Sequence, residues 1–305
     1  QKLPILTSIT PPLEFLCRDI KRPILSLHIA AGNILAQMGK TVVQVITDPH
    51  VREDYLANAE KPNMWFCVFD EATKHDFFEK AAKLGKYVDP RHVIVAGPPI
   101  DPRIIAAGQS KRPWRANRPL RLCITTGGLG TNKVEIETIV AQLAPYMRKH
   151  HNSIQLMVYA GTHADIKNSV LSIAKKERLT STLISGHDPA EFTISGQLTQ
   201  LFSHRTRHEL TVLYHPQIVD ANELLIKYGF PWADGFISKP SGDMAYDVAA
   251  AGSFLLTLQE WGEWEHNVRQ RFEVLGVGQK AEVMDIVEQI KRISRIHHQG
   301  LPWVY

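Results

Sequence analysis

Three stretches of this sequence carry residue types that can hold a phosphate and a sugar. The first is Thr125-Thr126-Gly127-Gly128-Leu129-Gly130-Thr131, which follows an apolar run and precedes a helix-like segment. Glycines there let backbone N–H groups come close to a phosphate, and the positive end of the next helix stabilises its charge. Tight strand-to-helix turns also use glycine for packing, so the pattern alone leaves both readings open. The second stretch runs from Ala233 to Asp247 and contains Ser238-Lys239-Pro240-Ser241-Gly242-Asp243. A strand ends at Ser238, the Pro-Ser-Gly turn exposes backbone donors, and a helix starts, making a second anion site. Asp247 lies one helical turn after Asp243, where a carboxylate can accept bonds from vicinal hydroxyls, while Asp243 reads equally as a helix cap. The third is Glu263-Trp264-Glu265-His266-Asn267 at the start of another helix. Glu263 and Asn267 share a face there and suit sugar hydroxyls, whereas Glu265 points away from Asn267 and is expected on a solvated face. Of Trp261 and Trp264, at least one belongs in the core.

Two familiar phosphate-binding patterns are excluded. A dinucleotide fingerprint needs a small residue where Lys133 stands and an acid closing the next strand, where Ala160-Gly161 is found. A P-loop needs Gly-Lys-Ser/Thr at a distance where none occurs.

The elements that must position these residues alternate regularly. Apolar runs at 24–27, 41–47, 65–69 and 92–96 read as parallel strands buried on both faces, with helices at 29–38 and 72–84 closed by Gly39 and Gly85. Pro98, Pro99 and Pro102 stop the pattern, and 103–119 reads as the connection to a second unit. There, strands at 120–125, 154–160, 183–185, 211–214, 235–238 and 254–258 alternate with helices at 133–150, 164–178, 217–228, 243–251 and 265–275. Residues 187–210 read as an inserted loop and 281–296 as a final amphipathic helix. Such a doubly wound sheet binds its ligand at the carboxyl ends of its strands. In the first unit the same rule singles out Asp48 and His50 as candidate general bases; Asp48 also fits a turn with Pro49, and His50 a surface position.

The run 233–276 resembles the donor domain of GT-B glycosyltransferases, especially the group containing monogalactosyldiacylglycerol synthase, processive diacylglycerol glucosyltransferase and the peptidoglycan N-acetylglucosaminyltransferase. The resemblance is specific over 120–280 and looser over 24–105. It implies an α/β fold of two Rossmann-like domains facing one cleft: an acceptor-side domain at 1–105, a linker at 106–119 and a nucleotide-sugar donor domain at 120–305. It further implies that Lys239 opens the turn whose Ser241 and Gly242 face a UDP diphosphate. Asp247 would meet the ribose, and Glu263 with Asn267 the sugar. Gly127, Gly128 and Gly130 are similar to the group's glycine loop, Thr47-Asp48-Pro49-His50 to its Thr-Asp segment, and 95–102 to its Gly-x-Pro stretch. Asp247 stands where glutamate is usual, and Trp264 where the group has an acid or amide. The group's opening strand and glycine-histidine loop have no counterpart before Gln1, so the N-terminal domain is expected to be incomplete. The implied reaction is inverting transfer of a hexose from a UDP-sugar to a lipid or other hydroxyl acceptor, with no metal and no cofactor beyond the UDP-sugar as co-substrate. A UDP-N-acetylglucosamine epimerase and a non-catalytic nucleotide-sugar-binding protein are the alternatives.

Composition agrees with a folded, two-domain chain: 305 residues, 44% hydrophobic and 22% charged. Cys17, Cys67 and Cys123 are far apart and make neither a disulfide framework nor a zinc pair, which fits a reducing, cytoplasmic compartment. No apolar run is long enough to cross a bilayer, so membrane contact, if made, is peripheral, on the inner face of the cell membrane. The net charge of +4 permits an anionic surface as partner. Lys111, Arg112, Arg115, Arg118 and Arg121, with Trp114, form a basic stretch that reads either as a headgroup surface or as a solvated linker. No nucleic-acid motif is present.

Overall fold

The computed structural model describes residues 8–111, 114–115, 118–186 and 209–298, with side chains to 295. The chain divides into two compact units, Gln1–Pro99 and Ile100–Tyr305.

The first unit holds a four-stranded parallel sheet in the order β1 (Ile24–Ser26), β2 (Val42–Val45), β3 (Met64–Val68), β4 (Val93–Val95). Helix α1 (Thr10–Cys17) precedes it, α2 (Ile29–Gln37) links β1 to β2, and α3 (Glu71–Lys83) links β3 to β4. Val42, Met64, Phe66, Val68 and Val93 pack with Leu35, Ala36, Phe77 and Ala81 in one core. Gln44 is buried among these apolar side chains because its amide donates to the Ser26 and Val45 carbonyls. Gly32 lets α2 cross it, since a Cβ there would meet Gln44 Oε1 at 1.9 Å. The helix starts are capped in the ordinary way: His28 Nδ1 accepts from Ala31 N, and Asp70 from Thr73 N. Gly39 and Gly85 close α2 and α3 with positive φ, as the sequence indicates.

The second unit is a seven-stranded, wholly parallel sheet. Its strands are β5 (Leu120–Thr125), β6 (Ile154–Gly161), β7 (Ser181–Ile184), β8 (Leu210–Tyr214), β9 (Gly235–Ser238), β10 (Phe254–Thr257) and β11 (Gly278–Lys280), in the order β11-β10-β9-β5-β6-β8-β7. Alternate strand residues feed two cores. Leu120, Leu122 and Ile124 pack with Leu156, Val158 and Leu256 beneath α5 (Lys133–Lys149), α6 (Ala164–Lys176) and α10 (Ile286–His298). Cys123, Met157, Phe236 and Leu255 pack on the other face with α4 (Pro102–Ser110), α7 (Ile218–Leu224), α8 (Gly242–Ala250) and α9 (Glu263–Val274). Past α7 the helix continues through a π turn, Leu225–Gly229, into Phe230–Trp232. From β5 the chain winds towards β6, and from β9 it winds the opposite way towards β10. The sheet therefore has its topological switch between β5 and β9, the position at which open α/β sheets bind ligands.

Two expectations change here. Residues 102–110, read as part of the connection, form α4, whose Ile104 is buried and whose Gly108 lies against α8 so closely that a Cβ would meet the Ala250 carbonyl at 2.0 Å. Much of the basic stretch faces inward as well. Lys111 Nζ donates to the Phe230 and Ala233 carbonyls and to Ser253 Oγ, and burial lowers it to about 8. Arg118 forms a two-pronged pair with Asp234, at 2.6 and 2.8 Å, and Arg121 N donates to the same carboxylate. Lys111, Arg118 and Arg121 thus brace the amino ends of β5, β9 and β10 instead of lying as an open cationic face; Arg115 is exposed, and Arg112 lies outside the described residues. The inserted loop expected at 187–210 lies outside them too, except for its last two positions. Cys17, Cys67 and Cys123 are free thiols, the first and last buried. No described helix is long and apolar enough to cross a membrane.

Candidate functional site

At the switch between β5 and β9, two strand exits stand side by side. Thr125 Oγ1 donates to Ser238 Oγ at 2.5 Å, tying the two exits together below the surface. Above them lie the glycine loop and the Lys239-Pro240-Ser241 turn.

The three glycines of the loop differ physically. Gly130 needs to be glycine: its φ is +63°, and a Cβ would sit 2.8 Å from the His163 ring. Gly127 and Gly128 have no such reason, since neither lies in the left-handed region. A Cβ on Gly128 would meet nothing within 4 Å, and one on Gly127 would meet only Lys239 Cδ, at an ordinary 3.7 Å. Glycine at these two positions costs backbone entropy that neither packing nor turn geometry returns, and it leaves the loop's backbone open to close approach. His163, at the exit of β6, holds the loop through a 3.2 Å contact between Nε2 and the Gly128 carbonyl. Below the loop, Asn132 bonds Glu135 and the Gln259 carbonyl, while Glu135 accepts from Gln259 N.

The helix starts around this point are open. Among the described residues no N-cap side chain bonds the first turn of α5, α6, α8 or α9, in contrast to α2 and α3 of the first unit, although within α8 Asp243 Oδ1 accepts from Met244 N at 2.8 Å. Ser241, at the N-cap of α8, leaves its hydroxyl free of that duty, and Gly242 opens the helix. Backbone donors and the positive end of the dipole are therefore available to an anion.

Lys239 supplies the formal positive charge. Its Nζ lies 2.7 Å from Glu265 Oε1 and 5.6 Å from the centre of the Trp261 ring. Glu265 is wholly buried, and its Oε2 accepts the Trp261 N–H at 2.7 Å. The contact with Lys239 is an ion pair without hydrogen-bond alignment, since Oε1 completes no hydrogen bond among the described residues. The expectation that Glu265 is solvated is overturned: it joins Val268 and Phe272 on the buried face of α9. Glu263 and Asn267 do share a face, as their spacing indicates, and that face is exposed. Trp261 is 67% exposed and Trp264 partly buried.

Asp247, on α8, is partly buried, and among the described residues its carboxylate has no hydrogen bond or ion pair. Burial, followed by the negative charges of Asp243 and Asp101, pushes it up to about 7. A carboxylate left in that condition can gain from hydroxyl donors. Beside α9, Glu260 is bonded to His266 and Arg269; burial works against its charge, but its hydrogen bonds outweigh that and hold it at about 2. Among the described residues no three acidic, histidine or cysteine side chains cluster as metal ligands would.

The other candidates belong to the first unit. Asp48 and His50 are partly buried beyond the carboxyl end of β2. Lys80 fastens this segment by donating to the Val51 carbonyl at 2.7 Å, and its Nζ lies 3.5 Å from His50 Nδ1. An ammonium can only donate, so in this contact Nδ1 is the acceptor. The strand exits at the β5/β9 switch thus carry Gly127, Gly128 and Gly130 on one side and Lys239, Ser241 and Gly242 on the other, with Asp247 further along α8. The structure adds His163 and Glu265, which motif reading passed over.

A family model described as Domain of unknown function (DUF6938) matches residues 85–249. No curated protein matches the sequence. Among solved structures, the UDP-GlcNAc 2-epimerase from Neisseria meningitidis bound to UDP-GlcNAc superposes with a TM-score of 0.58 at 12% identity, covering 100% of this chain and 78% of that one. S. aureus MnaA, in its co-structure with UDP, gives 0.53 at 13% identity, covering 96% and 72%. MurG from Acinetobacter baumannii gives 0.50 at 11% identity, covering 98% and 71%. At these identities the likeness establishes the fold: an α/β chain of two Rossmann-like domains, the GT-B class.

Proposed function

The chain belongs to the DUF6938 family, and we propose that it is a UDP-sugar-dependent enzyme whose second unit binds the nucleotide sugar at the β5/β9 switch. One observation carries this reading: Gly127 and Gly128, where a Cβ would fit, belong to one loop, and Gly127 lies against Lys239, just before α8, whose N-cap Ser241 makes no capping bond. In this reading the loop N–H groups, Lys239 and the Ser241-Gly242 turn hold the diphosphate, and Asp247 accepts from the ribose hydroxyls. Glu263 and Asn267 are proposed for the sugar. The N. meningitidis enzyme is bound to UDP-GlcNAc and S. aureus MnaA to UDP, which supports the nucleotide class as an analogy of fold.

The proposed reaction is inverting transfer to a hydroxyl acceptor, of a lipid or another compound. The acceptor oxygen bonds to the anomeric carbon, the bond from that carbon to the diphosphate oxygen breaks, and UDP leaves with the electron pair. Negative charge grows on the diphosphate, where the loop N–H groups, the start of α8 and Lys239 lower the barrier. The acceptor proton passes to a base, for which Asp48 and His50 are proposed. A second reading, epimerisation of a UDP-amino sugar, is favoured by the likeness to two structures whose names refer to UDP-GlcNAc 2-epimerase or MnaA.

A thermal-shift panel of UDP, GDP, ADP, TDP and NAD tests the nucleotide class: stabilisation by UDP above the others is expected, and a response to NAD alone refutes it. Incubation with UDP-GlcNAc and UDP-glucose without acceptor then separates the two activities, because only an epimerase changes the configuration at a ring carbon other than the anomeric one.

A further inference from the structure

We infer that Glu265 is a charge-setting residue of the diphosphate site, fixing Lys239 in place and loosening the hold on released UDP relative to UDP-sugar. The inference rests on the nucleotide-sugar reading above. Its starting point is a carboxylate in an expensive position. Glu265 is wholly buried, and among the described residues Lys239 is its one ionic partner. A glutamine would fill the same space, could still accept the Trp261 N–H, and would avoid burying a charge. Shape and hydrogen bonding therefore do not account for the negative charge.

The charge has a consequence at the site. Lys239 runs along the glycine loop, its Cδ 3.7 Å from where a Cβ on Gly127 would stand, so an anion held by that loop would share the ammonium with Glu265. In the empty protein the pair is neutral. When a diphosphate binds, the buried carboxylate stands behind the same ammonium and repels the diphosphate through a poorly screening interior. The two ligands of the reaction differ in the charge they bring. The terminal phosphate of UDP has a second ionisation near pH 6, whereas in UDP-sugar that oxygen is esterified. UDP thus carries more charge above neutral pH and feels Glu265 more strongly. Bond cleavage converts the less repelled ligand into the more repelled one, which favours departure of the product.

The test is isothermal titration of UDP and UDP-glucose at pH 8 into wild type, Glu265→Gln and Lys239→Gln, each checked for a native melting transition. Glu265→Gln is expected to bind UDP about tenfold tighter and UDP-glucose about threefold tighter or less. That direction is opposite to the loss expected if Glu265 only held the loop in shape. Lys239→Gln, which leaves the carboxylate uncompensated, is expected to lose more affinity for UDP than for UDP-glucose, and it tests the idea even if the first variant does not fold. Equal changes for both ligands in either folded variant, or weaker UDP binding by Glu265→Gln, would overturn the inference. Wild type that melts normally but binds neither ligand would instead overturn the nucleotide-sugar reading itself, and the inference with it.

Discussion

Asp247→Asn should make the empty protein more stable and the ligand-binding protein worse, with both effects set by pH. The carboxyl group rises from 3.8 to about 7 because burial, then Asp243 and Asp101, oppose its charge. A carboxylate whose folded value is raised costs nothing below its unfolded value. The cost grows as pH rises from about 4 to about 7 and is constant above that. At 1.36 kcal/mol per pH unit, the full cost is about 4 kcal/mol at pH 8 and about 1.6 kcal/mol at pH 5. Asparagine, of the same shape and uncharged, removes most of it. Urea unfolding at pH 5 and pH 8 should show the variant more stable at both, and by more at pH 8. For the ligand the sign reverses if, as proposed, ribose hydroxyls donate to the charged form. With UDP-glucose, whose phosphates do not titrate in this range, wild type should bind about tenfold more weakly at pH 6 than at pH 8, following the ionised fraction of Asp247. The asparagine variant should lose about 1.5–3 kcal/mol of affinity at pH 8 and show a flat profile. A variant no more stable than wild type at pH 8, or wild-type affinity independent of pH, would refute this account of Asp247.

Three further tests follow from the same geometry. Gly128→Ala has open space around it, so its stability should stay within about 0.5 kcal/mol of wild type while UDP binding falls by tenfold or more; unchanged binding would mean that no ligand approaches the loop there. Gly130→Ala, strained at φ +63° and crowded by His163, should lose about 1–3 kcal/mol of stability in a denaturant titration. Asp234→Ala leaves Arg118 and the Arg121 N–H without their acceptor and should destabilise by about 3 kcal/mol; a variant that unfolds like wild type would restore the view of the basic stretch as mere solvated linker.

What was legible in the sequence was local. The β5 run lies between Pro119 and the glycine loop and is buried on both faces, so composition alone bounds it. Gly39 and Gly85 announce the ends of α2 and α3 by the backbone angle they permit. Helix α4 was legible but misread: Pro102 looks like a stop, yet after Asp101 it is an N1 proline behind an N-cap, and the Asp101 carboxylate does accept from Arg103 N. Glu265 was hidden by the choice of reference face. Glu263 and Asn267 set one register, while Glu265, Val268 and Phe272 repeat at the spacing of a buried stripe. The inward turn of Lys111 and Arg118 was not legible at all. Their partners at Phe230, Ala233, Asp234 and Ser253 lie more than a hundred residues away, and nothing local announces them.

The two ends of the second sheet are built on opposite principles, and the contrast bears on the proposed site without reference to any relative. At the amino ends of β5, β9 and β10, charged and polar groups are paired: Arg118 with Asp234, and Lys111 with two carbonyls and Ser253. At the carboxyl ends, stabilising options go unused among the described residues: the N-cap residues of α5, α8 and α9 make no side-chain capping bond, and two glycines stand where a Cβ would fit; along α8, Asp247 has no hydrogen bond or ion pair. Caps alone are worth about 1 kcal/mol each, so the open end forgoes several kcal/mol that a ligand could restore. A ligand at one hundred times its dissociation constant adds about 2.7 kcal/mol to folding stability, of the same size as what the open end lacks. If UDP is that ligand, its protection in hydrogen exchange should concentrate on the first turns of α5, α8 and α9 and leave the strand entries unchanged. Protection spread evenly over the unit, or confined to the amino ends, would mean that the open end is not where the ligand sits.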